Sequence, residues 1–352
     1  MGYSLFNEVP DFHILKSAGD VMHDAFEGFV PTVMAKIVIE LVNDGKLTIK
    51  HINNAIAELE FDFENSNKPP ALKLDYLQSN KKLKMSSSES LFFVRYFGIM
   101  VGHRVDEDMP IWQLYIKLRD VIDILTSPEI TEPESLQFND DVEDFLEKWK
   151  EFDEDFTIKF HLLIHYLREL RANGPWIKYC MMGFESKHTE IKDIVSVVES
   201  NKNILKTIGI RLSLSLGQYQ FKKYRSVSVK KGPSNSNGNV YKYFHGTYKV
   251  ESLNHVTIND TCYKLGSIIV ADIDGPQVEF GRITEIYRVD STIHFEYEAY
   301  EYMTFDRRYY AYRVFQDPTS RELTSYNALA CKTPCLLFTI EESLLITARH
   351  RL

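Results

Sequence analysis

The stretch Asp20-Val-Met-His-Asp-Ala-Phe-Glu-Gly-Phe-Val-Pro31 is the richest in chemistry along this chain. Four ionisable side chains fall within eight positions, namely Asp20, His23, Asp24 and Glu27. Carboxylates at the exit of a strand and on the turn that follows are typical of sites that hold a divalent metal for phosphoryl chemistry. A solvated loop before a helix would use the same residues, because Asp and Glu favour helix N-termini.

The residues on either side of this stretch predict a strand followed by helices. Phe12–Leu15 is short and apolar, as in a strand that leads into the carboxylates. Pro31 suits the first turn of a helix, where a missing N–H has no partner to lose. Thr48 and the pair Ser86 and Glu89 have the pattern of helix caps. The apolar spacing predicts helices over residues 31–41, 48–59, 86–100, 111–125, 138–149 and 156–170, and another from Phe184.

The second half of the chain has the pattern of strands, over residues 240–250, 267–272, 278–289, 292–302, 309–315 and 335–340. Between residues 292 and 302, apolar side chains alternate with polar ones, as on a half-buried strand. Short strands at this spacing predict a small β-barrel, similar to the SH3-like barrels of BAH or Tudor modules. Its many aromatic residues would line the barrel wall, or form a surface cluster that stacks bases or cages a methylated lysine beside Glu296 and Glu298.

The composition is that of an ordinary globular protein, with 44% hydrophobic and 26% charged residues. No run approaches the ~18 apolar residues of a transmembrane helix, so no membrane partner is expected. The first residues lack the basic and apolar regions of a secretory signal, so secretion is not expected either. The four scattered cysteines are most simply reduced thiols, which are typical of nuclear or cytoplasmic proteins.

Charge is divided unevenly along the chain. Residues 1–200 hold 21 Lys and Arg against 35 Asp and Glu, whereas residues 201–352 hold 20 against 15. This break predicts two domains, residues 1–216 and 240–352, joined by a basic polar linker over residues 217–239. The residues expected to contact DNA lie in that linker: Lys222, Lys223, Arg225, Lys230 and Lys231.

Four blocks in order resemble proteins of the CACTA (En/Spm-like) transposable elements, over about residues 4–215. They are the DVMHD..EG..P stretch quoted above, KMSSSESLFFVRYFG (Lys84–Gly98), KFHLLIHYLRELRANGPW (Lys159–Trp176) and FESKH..IK (Phe184–Lys192). Four ordered blocks are more specific than any one of them, and the first and the last two are the sharpest.

The resemblance implies a DDE/D transposase with an RNase H-like core. In such a core three carboxylates hold two Mg²⁺ or Mn²⁺ ions, which activate the attacking oxygen and stabilise the leaving one. The family pattern implies Asp20 as the second Asp and Glu185 as the Glu, both catalytic and metal-binding. His23 would lie at the metal, and Asp24 would support the ligands or be structural. The helices between residues 31 and 170 would be an insertion in an α+β fold.

The chain departs from the family pattern at the first Asp, which belongs on the first strand of the core. Only 19 residues precede Asp20, and Asp11 lies on the stretch that leads into the later strand. Two carboxylates should hold metal weakly. We therefore expect a truncated or repurposed transposase without strand transfer, bound weakly to DNA. The alternative is a chromatin or protein-interaction module that acts through the C-terminal barrel.

Overall fold

The structure, a computed structural model, describes residues 19–153, 155–197, 203–223, 227–228, 250–275, 277–350 and 352. It has the mixed α+β composition that the sequence predicts, with helices in the first part of the chain and antiparallel strands in the second. Its internal contacts divide the chain into two compact units. The helical unit comprises Met1–Glu185 with Arg307–Tyr310 and Arg349–Arg351, and the sheet unit comprises the remainder.

The helices follow the predicted pattern. Their bounds are α1 (Val30–Asn43), α2 (Ile49–Glu58), α3 (Leu74–Asn80), α4 (Ser87–Val101), α5 (Pro110–Leu125), α6 (Glu132–Lys150), α7 (Ile158–Leu163), α8 (Tyr166–Asn173), α9 (Met182–Ser196) and α10 (Ile204–Lys223). The helix predicted over residues 156–170 is thus two helices, α7 and α8. No strand occurs among the described residues up to 185, and residues 12–15 lie outside them. None of the helices in the described ranges combines the length and apolarity needed to cross a membrane.

Helix α10 runs through Lys223, so the predicted linker over residues 217–239 would begin inside a helix. The first residues of the predicted linker can be helical because the Ser- and Asn-rich part of that stretch starts only after Lys223. Residues 227–228 form the short strand β1, and residues 224–226 and 229–249 lie outside the described part of the chain.

The carboxylate stretch is helical, where a loop or turn was expected. Met22–Phe29 form a π-helix that continues directly into α1, and the N–H of Val30 donates to the carbonyl of Ala25. Pro31 lies in the first turn of α1, as predicted, but a π-helix precedes it where a loop or turn was expected. Pro31 lies where the π-helix gives way to α1, and its missing N–H removes one backbone bond at that change of register. Short π-helical segments are frequent at functional sites.

The centre of the helical unit is α4, which is buried nearly all round, as its continuous apolar sequence predicts. The predicted capping box between Ser86 and Glu89 starts it. Tyr115 of α5 packs against it, accepting a hydrogen bond from the N–H of Gly98 (2.8 Å) and donating one to the carbonyl of Val94 (3.1 Å). Burial raises the pKa of Tyr115 to about 12, so the hydroxyl stays a donor near neutral pH.

The sheet unit contains the strands β2 (Val250–Leu253), β3 (His255–Ile258), β4 (Thr261–Lys264), β5 (Ile268–Asp274), β6 (Gln277–Val289), β7 (Thr292–Asp306), β8 (Ala311–Ser325), β9 (Cys331–Ile340) and β10 (Ser343–Thr347). Six of them pair in a closed antiparallel cycle, β6–β5–β9–β10–β8–β7 and back to β6. Strand β2 pairs with the far end of β6, while β1, β3 and β4 form a separate sheet. The sequence predicted β5 to β9 but not β3, β4 or β10.

The alternation predicted for β7 is present, with one exception. Ile293, Phe295, Tyr297 and Ala299 are buried, but so is Glu296, whose carboxylate accepts a hydrogen bond from the hydroxyl of Tyr287 (2.8 Å). The aromatic residues predicted for this region are mostly buried as well: Tyr297, Tyr300, Tyr309, Tyr310 and Tyr312. Tyr297, Tyr300 and Tyr312 pack within the sheet unit, whereas Tyr309 and Tyr310 belong to the helical unit, where Tyr309 lies against Gly98 and Tyr310 against Arg119.

Gly281 of β6 lies directly under the ring of Tyr297 on β7. A Cβ at position 281 would lie 2.2 Å from Cδ2 of that ring, and the Tyr297 hydroxyl is held by Glu279 (2.7 Å) and Glu322 (3.1 Å). We expect Gly281→Ala to lower the free energy of unfolding by about 1–3 kcal/mol, because the ring cannot move aside. Denaturant titration measures the change.

Gly209→Ala in α10 is the matched control. No atom lies within 4 Å of a Cβ built at this position, so stability should be unchanged or rise by up to ~1 kcal/mol through helix propensity. Equal losses in both variants would contradict the steric explanation.

Candidate functional site

Asp20 lies immediately before the π-helix and accepts hydrogen bonds from its first turn. Its Oδ1 accepts the N–H of Met22 (3.3 Å) and of Met181 (2.9 Å), and its Oδ2 accepts the N–H of His23 (3.3 Å). Oδ2 also forms a short hydrogen bond with Nδ1 of the His23 ring. Through Met181, this carboxylate ties the start of the π-helix to the residue before α9.

His23 joins Asp20 to Glu185, which comes 165 positions after Asp20. Its Nε2 lies 3.1 Å from Oε1 of Glu185, while Nδ1 faces Asp20. The hydrogen bond with Asp20 raises the pKa of His23 above the ordinary 6.5, and the charges of Asp20, Glu185 and Glu27 act in the same direction against burial. The side chains of His23 and Glu185 are 43% and 41% exposed, so this cluster is open to solvent.

Asp24 is buried and has different partners. Its Oδ1 accepts Nζ of Lys159 (2.8 Å), and its Oδ2 accepts the hydroxyl of Tyr166 (3.0 Å) and the N–H of Asp20 (3.2 Å). Burial, together with the charge of Asp24, raises the pKa of Tyr166, which keeps the phenol protonated as a donor. Asp24 therefore links α7 and α8 to the residues before the π-helix, which is a structural role.

Gly19 approaches this network so closely that a Cβ at this position would require its neighbours to shift. Its N–H donates to Oε2 of Glu169 (2.7 Å). A Cβ here would lie 3.1 Å from oxygens of Asp24 and Glu169 and 3.3 Å from the hydroxyl of Tyr166. Burial raises the pKa of Glu169, although the N–H of Gly19 opposes this effect.

Glu27, the third carboxylate of the stretch, has its contacts at α4. Its Oε1 accepts the hydroxyl of Ser87 (2.6 Å), and its backbone carbonyl accepts Nζ of Lys82 (2.8 Å). The three carboxylates that are neighbours in sequence therefore have three separate sets of partners and do not form one acidic cluster.

The predicted metal ligands Asp20, His23 and Glu185 are brought together, but they do not fit a divalent metal as they stand. Asp20 already accepts four hydrogen bonds, about the capacity of a carboxylate. Nε2 of His23 lies 3.1 Å from Oε1 of Glu185, which leaves no room for an ion between this nitrogen and the carboxylate. Within the described ranges, no group of three or more His, Cys, Asp or Glu side chains has an arrangement that could hold a metal ion.

The predicted DNA contacts fall largely outside the described residues. Lys222 and Lys223 end α10, but their side chains are not described, and Arg225, Lys230 and Lys231 lie outside. Lys159 and Tyr166 were not predicted as part of the site. The predicted helix over residues 156–170 would place them on one face, but Lys159 lies on α7 and Tyr166 on α8, so their spacing gave no usable signal.

No protein family, curated protein or solved structure compared with the chain matches it.

Replacing Asp24 should destabilise the protein. Asp24→Asn keeps an acceptor for Tyr166 but leaves the ammonium of Lys159 without its opposite charge, so we expect the free energy of unfolding to fall by about 1–3 kcal/mol. Asp140→Asn, at an exposed position of α6, is the control and should change it by less than ~0.5 kcal/mol. Denaturant titrations that give the two variants equal stability would refute the structural role of Asp24.

The protonation of His23 can be measured by NMR titration of its ring. The midpoint should lie above 6.5 and should fall in Asp20→Asn, while Asp140→Asn leaves it unchanged. Because the folded-state pKa is raised, the stability that comes from these contacts is fully present below pH 6.5 and is lost as the pH rises through the raised value. A wild-type midpoint at or below 6.5 would contradict the pairing with Asp20.

Proposed function

We propose that this chain is a transposable-element-derived protein that associates with DNA and no longer cleaves it. The observation that carries the proposal is the contact of both Asp20 and Glu185 with one imidazole ring. The resemblance assigns these two residues to one acidic site although they are 165 positions apart. Helices α1 to α8 lie between them in sequence, as the implied helical insertion would.

The support for the loss of cleavage is that, among the described residues, this site brings together two carboxylates, those of Asp20 and Glu185. Strand transfer with two metals needs a third carboxylate to fix the ions and the attacking oxygen in line. Asp24 and Glu27 are the nearest candidates in sequence, but Asp24 is bound to Lys159 and Tyr166, and Glu27 is bound to Ser87. Neither is free to replace the first Asp of the family pattern.

The same proposal extends to the fold of both parts. We take residues 1–216 as the remnant of an RNase H-like core with its helical insertion, and residues 240–352 as a small SH3- or BAH-like barrel. The support for the barrel is the closed cycle of six antiparallel strand pairings, since closure removes the open sheet edges. The support for the core is the Asp20–Glu185 juxtaposition.

DNA binding should be weak and electrostatic. Fluorescence anisotropy with a short labelled duplex of arbitrary sequence should show an affinity that falls steeply with salt. The slope of log K against log salt should be no steeper than about −4.5 if five basic side chains contact phosphates. Lys230→Glu/Lys231→Glu should reduce both the affinity and the slope. A duplex affinity that does not change with salt would contradict this mode of binding.

The control for charge is Lys73→Glu/Lys81→Glu, which makes the same change at two exposed positions of the helical unit. It should leave duplex binding near the wild-type level. An equal loss in both double variants would show a general effect of net charge and would remove the proposed DNA contacts.

The absence of cleavage is tested with supercoiled plasmid in Mg²⁺ or Mn²⁺. No relaxed product is expected from the wild-type protein. Nicking that disappears in both Asp20→Ala and Glu185→Ala would overturn the inactive assignment.

The alternative proposal is a chromatin or protein-interaction module that uses the sheet unit. An aromatic cage beside Glu296 and Glu298 was the feature expected to favour it, and the burial of Tyr297, Tyr300 and Tyr312 does not support such a cage. Binding of a methylated histone-tail peptide to the full chain, without any binding of duplex DNA, would favour this alternative.

A further inference from the structure

We propose that the imidazole ring of His23 takes the place of a divalent metal between Asp20 and Glu185, and thereby excludes Mg²⁺ and Mn²⁺ from this pair of carboxylates. The inference deepens the proposed function and rests on it only for the choice of these two carboxylates as former metal ligands. The contacts of the ring supply the rest of the argument.

The ring and one shared metal ion cannot occupy this position together. Each ring nitrogen faces one carboxylate, with Nε2 3.1 Å from Oε1 of Glu185 and Nδ1 hydrogen-bonded to Asp20. A single Mg²⁺ ion with bonds of about 2.1 Å would hold two carboxylate oxygens at most about 4.2 Å apart. An imidazole with a hydrogen bond at each end separates them by more than that. Binding one ion to both carboxylates therefore requires the ring to leave.

Asp20 also has no acceptor site left for a metal while the ring is bound. Three of its four hydrogen bonds come from backbone N–H groups, those of Met22, His23 and Met181. Release of those three requires the Asp20 side chain to rotate away from all three donors at once, or the backbone that carries them to move. The fourth comes from the His23 side chain. The imidazole is thus the partner whose removal frees an acceptor position on Oδ2 of Asp20 while the three backbone hydrogen bonds stay in place.

The experiment measures Mn²⁺ binding to the full chain by the electron paramagnetic resonance signal of the free ion. Wild type is compared with His23→Ala and with the double variants His23→Ala/Asp20→Asn and His23→Ala/Glu185→Gln. Alanine is a strong helix former and should preserve the π-helix, and circular dichroism confirms that each variant is folded.

We expect wild type to leave the free-ion signal at the level of buffer. His23→Ala should bind about one Mn²⁺ per chain with at least tenfold higher affinity, and each double variant should lose that binding. One Mn²⁺ bound by wild type and lost in both Asp20→Asn and Glu185→Gln would overturn the proposal. So would equal signals for wild type and folded His23→Ala.

These outcomes are separate from those of the proposed function. Duplex binding and plasmid nicking by the wild-type protein decide whether it is an inactive DNA-associated protein. Mn²⁺ binding by His23→Ala decides only whether the ring keeps the metal out. The variant can therefore gain metal while the nicking assay stays negative, in which case both proposals hold.

Discussion

The buried carboxylate of Asp24 is the constraint on which the candidate site depends. It accepts hydrogen bonds from Lys159, from Tyr166 and from the backbone of Asp20, and so joins the start of the π-helix to α7 and α8, 135 and 142 positions away. A buried carboxylate without partners would cost several kcal/mol, so these segments take up their positions together. The N–H of Asp20 is directed to this network, while its side chain accepts from His23 and Met181. Glycine at position 19 is what permits so close an approach.

The partners of Asp24 also explain why this acidic stretch, which has the composition of a metal site, does not arrange its carboxylates as a metal site would. Asp20, Asp24 and Glu27 are neighbours in sequence, but each has its own partners. The π-helix changes the angular spacing of side chains from that of an α-helix, and it carries His23 to a place where both its nitrogens meet carboxylates. The partners of these carboxylates include the imidazole of His23 and the ammonium group of Lys159.

The sheet unit follows a simpler rule, in which closure of strand pairings buries side chains that the sequence leaves ambiguous. The long strands β6 and β7 each pair on both edges, and Phe280, Phe295 and Tyr297 on these strands lie in buried hydrophobic clusters. Tyr297 is held over Gly281 by contacts with Glu279 and Glu322. Glu296 is buried because the hydroxyl of Tyr287 satisfies it. Tyrosines of this Tyr-rich region therefore pack in the interior, and a high content of aromatic residues does not by itself indicate a binding surface.

The sequence by itself determined the elements whose signals are local. Apolar periodicity and caps predicted α2, α4 and α5, because these signals act within one or two turns. Alternation likewise predicted β6 and β7 within a few residues. The juxtaposition of Asp20 with Glu185 could be expected only from the family resemblance.

The tertiary structure decided the rest. It set the π-helical register, because Asp, His and Glu suit a loop and a helix equally well. It also determined which groups bind the carboxylates. Lys159 and Tyr166, which bind Asp24, are 135 and 142 positions from it, and Met181, which binds Asp20, is 161 positions from it. No local pattern encodes partners at that separation. They are fixed only when the packed helices bring one buried carboxylate within reach of the groups that satisfy it.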